Sequence, residues 1–306
     1  MRRYELSDTQ WEQIEDLFPS SPHSRGRPRR EDRLLLHAIF WLLCSGAAWR
    51  DLPEQYGPWQ TAYDRFRQWK QERLFDQILE RLHIQLDEEG LINYATWMMD
   101  ATIIHASKAA AGARKKKNDA VADQALGRSR GGFTTKLHLV CDQQGIPLAM
   151  CVTAGQVQEA TQVEALMTQI HLPQRRGRPR CRPQHIIADK GYDAQCIRQY
   201  LRRRGIRPEI PNRATPTGRQ RRQRGPRPRY DRTLYKQRNV IERLLGWLKE
   251  HRRIATRFEK KASHFMAMIK LACIRRVFQS HFSDHTLRDY LKTPCSRARA
   301  TQRVLR

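Results

Sequence analysis

Residues 137–154, LHLVCDQQGIPLAMCVTA, form two apolar runs of β type around a polar break. Leu137 to Val140 and the run from Pro147 have strand length, and Asp142-Gln143-Gln144-Gly145 between them is a hairpin signal. Upstream, Tyr94 to His105 is a third run of the same kind. It is separated from Leu137 by residues 108–132, a basic, Ala/Gly-rich insertion with no apolar period, which reads as a loop. Downstream, Ala160, Val163, Leu166, Met167 and Ile170 recur at helical spacing within 158–171. A fourth strand, His185 to Ala188, stops at Asp189-Lys190-Gly191-Tyr192-Asp193. A helix through Ile197, Tyr200 and Leu201 comes next, then an extended piece from Ile206 to Ile210 and an Arg/Pro/Gly-rich loop at 211–231. Helices are predicted from Leu234 to about Arg252 and from Phe265 to Phe278. Three hairpin-linked strands, a helix and a fourth strand at crossover distance predict an α/β fold: a mixed sheet with flanking helices.

Residues 1–90 have a different rhythm. Trp11, Ile14, Leu17 and Phe18, then Leu34, Leu35, Ala38, Trp41 and Leu42, recur at three and four, so this segment reads as helical. Ser7 with Asp8 is placed to cap the first helix. SSPHSRGRPRR, with Pro22, Gly26 and Pro28, must be a loop. After Trp49-Arg50-Asp51-Leu52-Pro53, the residues Tyr63, Phe66, Trp69 and Leu74 predict further helix out to Leu86, and Asp87-Glu88-Glu89-Gly90 closes the segment.

The chain's 58 Lys+Arg against 31 Asp+Glu leave a net charge of +27 in 306 residues. Charge of that size repels itself in a compact fold unless a polyanion neutralises it, which disfavours a free-solution enzyme of small molecules. The longest apolar run, Leu34 to Cys44, is interrupted by His37 and too short to span a bilayer, so no membrane is expected as partner. MRRYELSDTQW turns polar where a secretory signal would turn apolar. Seven scattered cysteines without a Cys-x-x-Cys pair predict neither a disulfide framework nor a zinc knuckle, and point to a reducing cytoplasm. Residues 171–230 hold 18 Lys+Arg against Asp189, Asp193 and Glu209, so +15 of the excess lies in one fifth of the chain.

On a continuous helix from Leu234, Tyr235, Arg238, Glu242 and Lys249 would share an arc of about 60°. A phenol, a guanidinium, a carboxylate and an ammonium on one stripe are not how a core-facing helix is built. Val240, Leu244, Trp247 and Leu248 supply a separate apolar stripe. Read alone, the polar stripe is better explained as a solvated face with an Arg238–Glu242 pair. Two further carboxylates alter that reading. Asp100 interrupts the apolar run Trp97 to Ile104, where an unpaired charge is costly, although it could also simply pair with an arginine. Asp189 ends a strand just before Gly191, a position where α/β folds place reactive groups, although it could also simply cap the next helix. Three carboxylates supply the oxygen donors that hold Mg²⁺.

Tyr235-x2-Arg238-x3-Glu242-x6-Lys249 resembles the signature around the last acidic residue of bacterial insertion-sequence transposases of the DDE type. Asp189-Lys190-Gly191-Tyr192-Asp193 resembles the second acidic motif of that family, and Asp100 with Ala101-Thr102 the first. Trp49-Arg50-Asp51-Leu52-Pro53, Tyr56-Gly57 and Trp59 resemble the helical domain of its insertion-sequence-5 group. The match runs from about residue 5 to 280. It implies a ribonuclease H-like catalytic domain over 91–285 behind a helical DNA-binding domain over 1–90, with a basic tail at 286–306. It also implies that Asp100, Asp189 and Glu242 are catalytic and bind two Mg²⁺ ions, for which Mn²⁺ can substitute. The reaction implied is hydrolysis at the element's ends and then transesterification into target DNA. The partner is double-stranded DNA, transposon ends and target alike, in a synaptic complex at least dimeric, in a bacterial cytoplasm at the nucleoid. Tyr235, Arg238 and Lys249 are expected to contact DNA.

Arg25-Gly26-Arg27-Pro28 and Arg176-Gly177-Arg178-Pro179 repeat one tetrapeptide that resembles an AT-hook, which places Arg27 and Arg178 among the expected DNA contacts. Basic loops of this composition also make contacts to phosphate without regard to sequence. A helix-turn-helix-like reader of the terminal repeats is expected in the N-terminal segment. Trp41, Trp49, Trp59 and Trp69 read as core, and His37, His105, His138 and His185 as structural. Glu159 reads as a helix start, with a catalytic role as the lesser reading. The alternatives are a catalytically inactive DNA-binding repressor of the same fold and an RNA-associated structural protein.

Overall fold

The structure, a computed structural model, describes residues 4–19, 30–112, 124–129, 131–174, 177–212 and 229–282. The chain begins with α1 (Asp8–Glu12), whose cap is the expected one: Ser7 accepts the Gln10 N–H while Gln10 Oε1 accepts the Ser7 N–H. α2 (Asp32–Ser45) buries nearly every side and is a core helix. It ends at Gly46, left-handed at φ 73°. α3 (Trp59–Gln71) and α4 (Leu74–Glu88) complete the N-terminal layer. Trp69 is fully buried, and Trp41, Trp49 and Trp59 are half-buried and packed on the core.

The sheet comes after these helices. β1 (Thr96–Ala106) is its central strand. β2 (Gly127–Ser129) and β3 (Gly132–Asp142) form a hairpin, and β3 turns through Gly145, at φ 82°, into β4 (Pro147–Ala154). A crossover through α5 (Val163–Gln169) leads to β5 (His185–Ile187), and one through α6 (Gln195–Arg203) to β6 (Arg207–Glu209). β3 runs antiparallel to both β1 and β4, with Leu139 opposite Asp100 and Met150. β5 is parallel to β1, with Ile187 opposite Met98, and β6 is parallel to β5. Read across, the order β4-β3-β1-β5-β6, three antiparallel strands then two parallel to the first, is the ribonuclease H-like arrangement. β2 extends the sheet beyond the end of β4, within residues expected to be loop.

The predicted long helix from Leu234 is segmented. α7 (Arg232–Tyr235) is capped by Asp231, a 3₁₀ turn covers Lys236–Arg238, and α8 (Asn239–Glu250) and α9 (Arg252–Ala255) are separated at His251. The expected single stripe is therefore only approximate, because a 3₁₀ turn advances about 120° per residue instead of 100°. The buried face is Ile241, Leu244, Leu245 and Leu248, one regular 3.6-residue stripe, while Val240 and Trp247 sit at its rim. β7 (Thr256–Arg257) pairs with the far end of β1, and α10 (Ala262–His281) closes the chain's described part.

α10 lies against α4 and β4, so the N-terminal helices and the sheet share one hydrophobic cluster. Gln10 Nε2 donates to the Phe282 carbonyl at 3.1 Å, and Lys270 meets Asp76 at 2.6 Å across that junction. No helix among the described residues is long and apolar enough to cross a membrane.

Candidate active site

Strand register builds the centre of the site. Met98 of β1 lies opposite Ile187 of β5 in a parallel pair, so two residues further on Asp100 is level with Asp189, where β5 ends. Because β1 continues to Ala106 and β5 does not, Asp100 stands at a notch in the sheet that β7 rejoins only at His105. Asp100 is buried, and its Oδ1 accepts the Ala101 N–H at 2.9 Å. Asp189 is half-buried and does act as a cap, for the 3₁₀ turn at Lys190–Tyr192, accepting the Gly191 N–H at 2.8 Å.

The third carboxylate arrives through an arginine. Arg238 Nη2 donates to Asp100 Oδ2 at 2.7 Å, and its Nη1 donates to Glu242 Oε1 one turn along α8. One guanidinium thus joins β1 to α8, and the 3₁₀ turn carrying it is tied to the β3–β4 hairpin by Gln143 Nε2 donating to Gln237 Oε1 at 2.9 Å. The i, i+4 pair of Arg238 with Glu242 is present as expected. Tyr235 is half-buried beside Tyr230, and Glu242 and Lys249 are exposed on α8. Burial raises the Tyr235 phenol above its usual range, with Arg238 opposing it.

Burial pushes the Asp100 carboxyl up to about 6. Arg238 and the Ala101 N–H oppose that rise, whereas the negative charges of Asp189 and Glu159 add to it. Glu159 thus belongs to the same neighbourhood, on the 3₁₀ turn Glu159–Gln162 before α5. Lys136 of β3 holds it, its Nζ 3.3 Å from Glu159 Oε1 and 2.9 Å from the Val157 carbonyl it bonds. Reading Glu159 chiefly as a helix start, with a catalytic role second, underrated this; the signal available was an acidic residue at the first turn after β4. Among the other expected positions, Arg178 is exposed in the segment between α5 and β5, and Arg27 lies outside the described residues. His37, His138 and His185 are engaged as structural residues, with Leu6 N–H, Thr153 and Glu209 respectively.

Among the described residues, no three His, Cys, Asp or Glu side chains converge closely enough to hold a metal ion. Between Asp100 and Glu242 stands the guanidinium of Arg238, itself a cation. The donor set nonetheless fits a divalent cation. All its members are carboxylates, the hard oxygen ligands that Mg²⁺ and Mn²⁺ take. The Tyr192 hydroxyl, fully buried, has no hydrogen-bond partner among the described residues and feels the charges of Glu159, Asp100 and Asp189. A buried, unpaired hydroxyl beside three carboxylates suits a site completed by an ion and its waters.

Two family profiles match the chain: "Putative transposase of IS4/5 family" over residues 6–79 and "Transposase DDE domain" over residues 96–276. A Brucella ovis protein described as "Putative transposase for insertion sequence element IS6501" is 34% identical over 141 residues, 46% of this chain and 95% of that protein. A Burkholderia cepacia protein described as "Putative transposase for insertion sequence element IS402" is 39% identical over 148 residues, 48% of this chain but 63% of that protein. A Mos1 transposase paired-end complex with its left transposon end aligns with 85% of this chain and 82% of its own at 12% identity; at a TM-score of 0.23 the likeness carries no argument.

Proposed function

The chain belongs to the DDE-domain transposases of insertion sequences, and from that membership we propose that it binds the ends of its element and catalyses DNA strand cleavage followed by strand transfer. The observation that carries this reading is the bridge Arg238 makes between Asp100 and Glu242, beside the notch where β5 ends and Asp189 follows. In this reading Asp100, Asp189 and Glu242 hold two Mg²⁺ ions, which supply Lewis-acid stabilisation of the attacking and leaving oxygens of an in-line displacement at phosphorus.

The chain's own residues do the rest. Arg238, already aimed at the carboxylates, offers a planar fork to a phosphodiester brought into the notch. Tyr235 presents its phenol on the same side, to hydrogen-bond a phosphate or stack on an unpaired base. Lys249, two turns beyond Glu242, gives a point charge for backbone phosphate. The exposed basic groups Arg178, Arg180, Arg202, Arg203 and Arg207 offer sequence-independent attraction for double-stranded DNA of ends and target. Water attacks the phosphodiester at the element's end, freeing a 3′-OH and leaving a 5′-phosphate on the flanking strand; that 3′-OH then attacks a target phosphodiester beside the same carboxylates, joining its 5′-phosphate and expelling a target 3′-OH. Two copies at least are needed to hold two ends, and the bacterial cytoplasm is where the DNA is.

The test is nicking of donor ends in Mg²⁺ by wild type and by Asp100→Asn, Asp189→Asn and Glu242→Gln. Each variant is expected to bind end DNA and not to cut it. Cutting by the variants at the wild-type rate overturns the assignment of the three carboxylates, and DNA binding by a wild type that never cuts leaves a repressor.

A further inference from the structure

Glu159 comes to the site from a different element than Arg238. The turn at Glu159–Gln162 comes after β4, and its carboxylate reaches the loop after β5. Gly191 marks the meeting point. A methyl group on its α-carbon would meet Asp189 Oδ1 at 2.9 Å and Glu159 Oε2 at 3.0 Å, so the two carboxylates press on one side of one glycine. Like charges this close, in a region shared with buried Asp100, repel unless cations stand between them. The protein supplies two. Arg238 serves Asp100 and Glu242, and Lys136, itself buried, serves Glu159. Asp189 makes no ion pair with either, and the Tyr192 hydroxyl, without a hydrogen-bond partner among the described residues, feels the charges of Glu159, Asp100 and Asp189.

We propose that Glu159 is a fourth metal-binding carboxylate, sharing a divalent cation with Asp189 on the Gly191 side, and that Lys136 occupies its charge until the cation arrives. The proposal rests on the metal-dependent reading above. It assigns each half of the site a resident protein cation in competition with a metal: Arg238 on the Asp100–Glu242 half, Lys136 on the Asp189–Glu159 half. Lys136 has an alternative partner ready in the Val157 carbonyl, 2.9 Å from Nζ, so releasing Glu159 does not strand a buried ammonium.

Binding of Mn²⁺ to the full chain without DNA, tracked by the electron paramagnetic resonance of free Mn²⁺, separates the possibilities, with thermal unfolding run on the same samples. Glu159→Gln keeps the shape and a hydrogen bond to Lys136 but removes the charge, and is expected to weaken the affected Mn²⁺ class at least tenfold while Tm changes little. Lys136→Met removes the competing cation and is expected to tighten the same class. If Asp100→Asn loses Mn²⁺ while Glu159→Gln and Lys136→Met bind it as wild type does, Glu159 is a structural partner of Lys136 and the proposal fails with the three-carboxylate site intact. If wild type binds no Mn²⁺, or Asp100→Asn binds it as wild type does, the metal-dependent reading itself fails. Should Glu159→Gln not fold, Lys136→Met decides alone: tighter Mn²⁺ binding supports the proposal and unchanged binding overturns it.

Discussion

Arg238 reaches back to Asp100 across 138 residues of sequence, Nη2 to Oδ2 at 2.7 Å, and this contact pins α8 to the centre of the sheet. Despite it, Asp100 is held up at about 6, because burial outweighs the guanidinium. A carboxyl raised above its unfolded value of about 3.9 is favoured protonated in the fold, so its ionisation costs stability that grows as pH rises from about 4 to 6 and stays in full at pH 7. Asp100→Asn avoids that cost and can still accept from Arg238 and Ala101. At pH 7 it is expected to gain on the order of 1 kcal/mol while losing end cleavage, the trade commonly seen when a strained site is neutralised. Urea unfolding at pH 7 and pH 4 checks it: the gain should shrink at pH 4, and a loss of stability at pH 7 would refute it.

Gly46 joins the N-terminal layer to the site's own helices. It ends α2 in the left-handed region at φ 73°, and a Cβ there would stand 2.7 Å from Arg252 Cβ on α9. Gly46→Ala therefore adds left-handed strain, about 1–2 kcal/mol, to a clash that pushes α9 from α2. A loss of about 2 kcal/mol or more in chemical denaturation is expected. A variant as stable as wild type would mean that α2 and α9 slide freely past one another.

Arg257 is fully buried and its charge is spread over carbonyls. It donates to Ala125 O at 2.9 Å, Glu259 O at 2.9 Å, Lys260 O at 3.2 Å and Thr135 Oγ1 at 2.6 Å, with its guanidinium 5.4 Å from the Phe265 ring. Arg257→Met fills much of the space but orphans those acceptors, and should cost about 3 kcal/mol. Arg257→Lys should recover only part, because an ammonium cannot span the fork. Equal stability of the two variants would show that volume, not hydrogen bonding, is what Arg257 supplies.

Four histidines give the fold an acid limit. Burial lowers His37, His138, His251 and His264 to about 4. His37 Nε2 accepts the Leu6 N–H at 3.0 Å, which a protonated ring cannot do. For a base whose folded pKa is depressed, stability is present above the unfolded value of about 6.5 and is lost as pH falls from there toward 4. Tm should fall steadily between pH 6.5 and 4, and His37→Gln should flatten part of that fall. A Tm independent of pH in this window would contradict the buried, neutral state of these rings.

How much of this was legible in the sequence depends on distance along the chain. The hairpin at Asp142–Gly145, the four apolar strands and the Ser7 cap are local patterns, and they stand where periodicity and turn chemistry put them. Asp100 and Asp189 were legible as anomalies, charges in or at the end of apolar runs. Arg238 was legible as the partner of Glu242, four residues away, and as an expected DNA contact, but not as the partner of Asp100. Its bond to Asp100 needs the sheet register that a single sequence does not state. The same holds for Glu159, whose place beside Asp189 depends on where α5 crosses. The 3₁₀ turn at Lys236–Arg238 was hidden because its residues suit a regular helix equally well; tertiary ties such as Gln143 to Gln237 select the tighter form.

Lys249 tests whether DNA runs along α8. It is exposed two turns beyond Glu242, on a helix whose buried face, Ile241, Leu244, Leu245 and Leu248, is committed to the core. Removing it should cost little stability, so a change in DNA affinity can be assigned to the interface. Each phosphate neutralised by a lysine releases condensed counterion, and contributes about 0.9 to the slope of log K against log salt on duplex DNA. Lys249→Ala should therefore weaken end and non-specific duplex DNA alike and reduce that slope by about one. A variant that loses affinity for end DNA only would instead make Lys249 a reader of sequence or shape. An unchanged slope with unchanged affinity would move the DNA off α8 altogether.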